Sequence, residues 1–117
     1  MSGNVKFDKW INDNGSENYK CRAWVNFNGT GTVAIRASGG VSSITDFGVG
    51  SYAVNLTTAF LDANYSATAS CRGQNDGDSN STIAGAGVLS TTIANVYTKN
   101  SSNSLVDSSA VSVAIFR

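Results

Sequence analysis

Side chains between residues 20 and 60 take turns between two sides with a period of two, and that rhythm constrains the fold more than any other feature of the chain. Cys21, Ala23, Val25 and Phe27 share one parity, and Arg22, Trp24 and Asn26 share the other. This is the pattern of an extended strand whose successive side chains point to opposite faces. Asn28-Gly29-Thr30-Gly31 follows, and its residues tolerate the positive φ that a hairpin connection needs. Val33, Ile35 and Ala37 continue one parity on the return strand until Ser38-Gly39-Gly40 ends it. A short strand over 41–45 leads into Asp46-Phe47-Gly48-Val49-Gly50, after which Tyr52, Val54 and Leu56 alternate with Ala53, Asn55 and Thr57. The stretch reads as a β-meander.

The rest of the chain extends it. Residues 59–64 break the alternation and predict a tight corner with Phe60 or Leu61 plugging the core. Tyr65, Ala67, Ala69 and Cys71 then describe a strand with one lightly packed face. Residues 72–81 form the least apolar stretch and predict an exposed loop. Small residues at 84–87 leave room for close approach by another backbone or a symmetry mate. Residues 92–98 are apolar on both parities, which predicts cover on both sides, and Val111, Val113 and Ile115 mark a last strand. Ahead of the first strand, residues 1–19 read as an N-terminal arm or edge-covering segment, and Asn14-Gly15-Ser16 is a strong turn signal at its boundary. Phe7, Trp10 and Ile11 in the arm fit either one helical turn or an extended segment. Residues 20–117 are expected to form one antiparallel β-sandwich, jelly-roll-like in its count of short strands.

Composition says what such a sandwich is for. Charged residues make up only 14% of the chain and net charge is zero, so the surface is polar without being charged. Long-range attraction to a phosphate backbone is lacking, which argues against nucleic-acid binding. No apolar run is long enough to span a bilayer and no secretion signal is evident at Met1, so assembly in the cytoplasm is expected. Proline is absent, and Lys is sparse. Sheet edges without these blunting residues are expected to be paired or covered by neighbouring subunits. Trp24 and Phe116 sit on the parity opposite the apolar runs of their strands. With Trp10 they are candidate subunit-interface anchors, Trp24 and Phe116 being equally compatible with the core of a second sheet.

The chemistry available is narrow. With no histidine, Ser-His and Cys-His nucleophile pairs and His-based metal sites are excluded, and no catalytic residue, cofactor or metal ligand is assigned. Carboxylates are scattered, so an enzyme is not expected. Asp76-Gly77-Asp78-Ser79-Asn80 has D-x-D-x-N spacing, but it lacks the following glycine and later glutamate of a calcium-binding loop. Asn75, Asp76, Asp78 and Asn80 are the candidate receptor-binding residues, because amides and carboxylates can fork onto sugar hydroxyls while an aromatic such as Tyr97 stacks on the ring. Cys21 and Cys71 both fall in strand-like runs and read as buried free thiols, with a bridge possible only if their strands are neighbours.

The segment AWVNFNGTGTVAIRASGGVSSITDFGVGSYAVNLTTAF, together with DANYSATAS and DSSAVSVAIFR, resembles a segment found in tail-fibre-like and tail-associated proteins of bacteriophages. That family usually has a polar residue where this chain has Phe47, and a polar or acidic one where it has Ser51. The resemblance implies a virion structural protein, a tail-fibre or tail-appendage component with a role in host attachment, trimeric by analogy to fibres and partnered by other virion proteins and a host-surface glycan. A head-decorating or connector subunit and a free-standing carbohydrate-binding module are the alternatives.

Overall fold

The computed structural model describes residues 4, 8–17, 19–72 and 82–117. Among them, strands are the only regular elements: β1 (Cys21–Asn28), β2 (Ala34–Gly39), β3 (Val41–Gly48), β4 (Ser51–Leu56), β5 (Ser66–Cys71), β6 (Thr82–Val88), β7 (Ile93–Asn100) and β8 (Val111–Phe116). They form two antiparallel four-stranded sheets, β2-β1-β8-β5 (sheet 1) and β3-β4-β7-β6 (sheet 2), packed as a β-sandwich. Hairpins β1–β2, β3–β4 and β6–β7 stay within one sheet, and the other connections cross between sheets. β5 and β6 run close together along one edge of the sandwich, whereas β2 and β3 part from each other at the opposite edge.

The alternation explains the core. Ala23, Val25 and Phe27 from β1, Tyr52, Val54 and Leu56 from β4, Ala94 and Val96 from β7 and Val111, Val113 and Ile115 from β8 are all buried between the sheets. Burying such side chains stabilises by about 1.5–3 kcal/mol each for the larger ones, an upper estimate because unfolded chains are already partly collapsed. Phe27 and Tyr52 meet edge to face at 5.2 Å between ring centres, the arrangement favoured by aromatic quadrupoles.

One end of the sandwich is closed by polar bonds. The Tyr52 hydroxyl lies 2.8 Å from the Gly29 carbonyl oxygen and 2.9 Å from Asp107 Oδ1, and the same carboxylate oxygen accepts the Gly50 N–H at 2.9 Å. Burial, and then the hydrogen bond to Asp107, hold the phenol well above its ordinary pKa. Gly50 has φ +66, and a Cβ there would come within 2.6 Å of the Thr98 carbonyl oxygen and 2.8 Å of that of Val106, so only glycine fits. The buried Thr98 hydroxyl donates to the Val106 carbonyl, and buried Ser108 donates to the carbonyls of Arg72 or Ala110. At the other end Tyr65 packs on Phe60 with 4.7 Å between ring centres and bonds the carbonyls of Ser90 and Ile93 at 2.8 Å. Phe60 therefore plugs the corner, while Leu61 is left in solvent.

Two β-bulges overturn part of the parity reading. Register slips between Cys21 and Ala23, so Cys21 pairs with the outward-facing Phe116 and is exposed rather than buried. It slips again between Asn26 and Phe27, whose partners are Ala37 and Ile35, and this sends Ala37 to the outer face although Ile35 packs inward. Both cysteines are free, and β8 separates their strands. β7 has one covered face only: Ala94, Val96 and Thr98 are buried while Asn95 and Tyr97 are exposed. In the arm, Asn14-Gly15 makes a tight turn that brings Ile11 against Glu17 in an isolated bridge; Phe7 lies outside the described residues, and Trp10 and Ile11 are not helical. Trp10 and Ile11 remain about half exposed, at 53% and 51%.

Candidate functional site

The loop holding Asn75, Asp76, Asp78 and Asn80 lies outside the described residues. The aromatic candidates are placed: Trp24 is 44% exposed and Phe116 41%, both on the outer face of sheet 1, which removes the reading that put them in a second core. Trp10 belongs to the arm and does not share that face through strand pairing.

Strand pairing lays out the outer face of sheet 1 as a grid. Phe116 stands between Cys21 and Ser66; Trp24 stands in a row with Gly39, Ala114 and Thr68; Asn26 stands in the next row with Ala37, Ser112 and Ser70. The indole covers Gly39 closely enough that a Cβ at that glycine would fall 2.5 Å from Trp24 Nε1. Leaning toward β2 in this way, the ring leaves the small side chains of β8 uncovered. The result is an open groove of about 460 Å³ over β1, β8 and β5, with Trp24 and Asn26 on one side, Ala114 and Ser112 at the bottom and Thr68 and Ser70 on the other. No ionisable side chain lines it. Asn26 Oδ1 is shut off from solvent and has no hydrogen-bond partner, a costly arrangement for a polar atom.

The outer face of sheet 2 is built from similar residues and is closed. Asn55 Nδ2 donates to Ser43 Oγ at 3.0 Å and to Thr45 Oγ1 at 2.9 Å, and Ala53 beside them is 2% exposed. Tyr97 lies across Gly85, where a Cβ would come within 2.8 Å of two ring atoms and the hydroxyl oxygen, and Lys99 Nζ sits 5.0 Å from its ring centre. Such a pairing covers the weak glycine of an edge strand with an aromatic and gains from cation–π attraction.

A second hollow of about 710 Å³ lies where the arm meets the end of the sandwich, between Tyr19, Arg22, Phe60, Leu61 and Arg117. Arg117 makes a two-pronged bond to Asp62 at 2.8 and 3.2 Å. The Asn64 backbone N–H, and then Arg117, hold the Asp62 carboxyl below its ordinary pKa. The pair is exposed to solvent, so its net stabilisation is small.

No group of three or more His, Cys, Asp or Glu side chains able to hold a metal ion occurs among the described residues. No helix among them is long and apolar enough to cross a membrane. No family model, curated protein or solved structure matches the chain. The groove on sheet 1 was missed by sequence reasoning, because its walls come from three strands far apart in the chain. The signal that could have found it was the coincidence of outward-parity Trp24 and Asn26 with the small outward residues Thr68 and Ser70 of β5 and Ser112 and Ala114 of β8.

Proposed function

We propose that this chain is a binding domain of a bacteriophage virion, a tail-fibre or tail-appendage component that holds the particle to the host surface without catalysing a reaction. The observation that carries the reading is an open, uncharged groove on the outer face of sheet 1, lined by hydroxyls and bordered by an exposed indole. The resemblance of residues 23–60 to tail-associated proteins supports the biological setting. A rigid sandwich with a polar, nearly uncharged surface suits a part held in an assembly. Display in several copies, a homo-oligomer and by analogy to fibres a trimer, multiplies weak contacts by avidity. Other virion proteins are the remaining partners.

Two measurements test the proposal. Purified protein is added to host cells, and antibody labelling locates the chain on the particle. Adsorption to cells and label at the tail are expected. Label spread over the head, without adsorption, would replace the reading with a head-decorating or connector subunit. Solution mass tests assembly separately: a multiple of 12.1 kDa is expected, and a species at 12.1 kDa itself removes the oligomer.

A further inference from the structure

We propose that the groove across the outer face of sheet 1 binds a neutral saccharide of one or two rings, with Trp24 as the stacking surface and Asn26, Ser112 and Ser70 as a polar row across the groove. The inference rests on the attachment reading for its setting and on the groove for its chemistry. A sugar ring has an apolar C–H face and a rim of hydroxyls, so its receptor needs a flat aromatic beside small donors and acceptors. Trp24 supplies the flat surface, held in place over Gly39. Ala114, small and central, leaves the depth a ring would occupy. The amide of Asn26 can both donate and accept, and the Ser and Thr hydroxyls can do the same, which suits vicinal hydroxyl pairs.

Two further observations narrow the ligand. The lining carries no charge, so a sugar bearing carboxylate, phosphate or sulfate would lose its hydration without a counter-ion in return. Asn26 Oδ1 has no partner in the free protein. The terminal torsion of an asparagine is soft, so a ligand hydroxyl at this wall can bond the turned amide and satisfy what the fold leaves unmet. The volume of about 460 Å³ falls within the range of small-molecule sites. Ser and Ala, which with Thr68 make up the floor and far wall, are depleted at subunit interfaces whereas Trp is enriched there, so the oligomeric state of a Trp24→Ala protein separates a saccharide from a second copy as occupant. With a saccharide as occupant, Trp24 belongs to a ligand face, while Phe116, on the same sheet face, stands outside the groove.

The chain has two tryptophans, so Trp10→Phe leaves Trp24 as the sole indole reporter. That protein is titrated with neutral di- to tetrasaccharides of glucose, galactose, mannose and N-acetylglucosamine, and with uronic-acid and sialylated oligosaccharides as the charged arm. A saturable change in Trp24 emission with at least one neutral sugar is expected. Thr68→Arg, an exposed position on an edge strand, should fill the groove and abolish the response with the thermal melt unchanged, and Asn26→Ala should weaken it by about tenfold. No response to any neutral sugar, a response that survives Thr68→Arg, or a response only to charged sugars overturns the proposal. So does a Trp24→Ala protein that falls from oligomer to monomer. If wild type and Thr68→Arg adsorb equally to host cells, attachment stands and the groove falls; neutral-sugar binding without adsorption has the reverse meaning.

Discussion

The two outer faces of this sandwich start from the same materials and end differently. Each lays one aromatic ring over a glycine of an edge strand, Trp24 over Gly39 and Tyr97 over Gly85, and each surrounds it with Asn, Ser, Thr and Ala. On sheet 2 the amide of Asn55 reaches two hydroxyls, and Ala53 beside it is shut off from solvent. On sheet 1 the amide of Asn26 ends with an oxygen that bonds nothing, and a groove remains beside it. A face that completes its own hydrogen bonds is a wall. One that leaves a polar atom unmet beside a ring-sized gap is prepared for something else, and that difference is invisible to hydropathy.

The comparison presumes that both faces are mounted on one rigid core, so the most drastic way to break it is to damage the end lock they share. Gly50→Ala should cost about 3 kcal/mol or more, combining a positive φ with contacts to two backbone carbonyls, and chemical denaturation should show the loss. Tyr52→Phe should cost about 1–3 kcal/mol by removing the hydroxyl between Gly29 and Asp107. It should also change the alkaline limb of stability. Because the folded pKa of Tyr52 is raised above its ordinary 10, the folded state holds that proton longer. Its contribution is therefore whole below pH 10 and drains away as pH rises further, and Tyr52→Phe should flatten that decline.

Smaller changes sharpen the contrast between the faces. Asn55→Ala should cost about 1 kcal/mol in denaturant midpoint, since it breaks two satisfied bonds. Asn26→Leu should be neutral within about 0.5 kcal/mol, or stabilising, since it removes a polar atom that had no partner. Equal losses at the two positions would erase the distinction. Smallest in stability is the paired test of the rings. Gly39→Val should dislodge Trp24 and Gly85→Val should dislodge Tyr97, each at about 1 kcal/mol or less because the rings can swing into solvent, yet only Gly39→Val should impair saccharide binding.

Much of the architecture was legible in the residues. Period-two alternation located the strands because one face of each is dry, and Gly and Asn marked the turns between them. The bulges were not legible: a slip such as that at Arg22 depends on what β1 faces across the ladder, so Cys21 looked buried from its own strand alone. Tyr97 misled for a related reason. Its apolar ring suggested cover on both sides of β7, but the ring stays exposed and itself covers the side-chain-free Gly85 of β6. The groove depended on small residues of β5 and β8 meeting Trp24, a juxtaposition that pairing creates and linear spacing does not encode.

The most direct measurement is a two-dimensional NMR titration of the isotope-labelled protein with the neutral saccharide that binds most tightly. Shifts concentrated on the Trp24 indole N–H, the Asn26 side-chain amide and the backbone amides of Ser112, Ala114, Thr68 and Ser70 are the predicted result. Shifts centred on Tyr97 and Asn55, or spread evenly over both faces, would contradict the account.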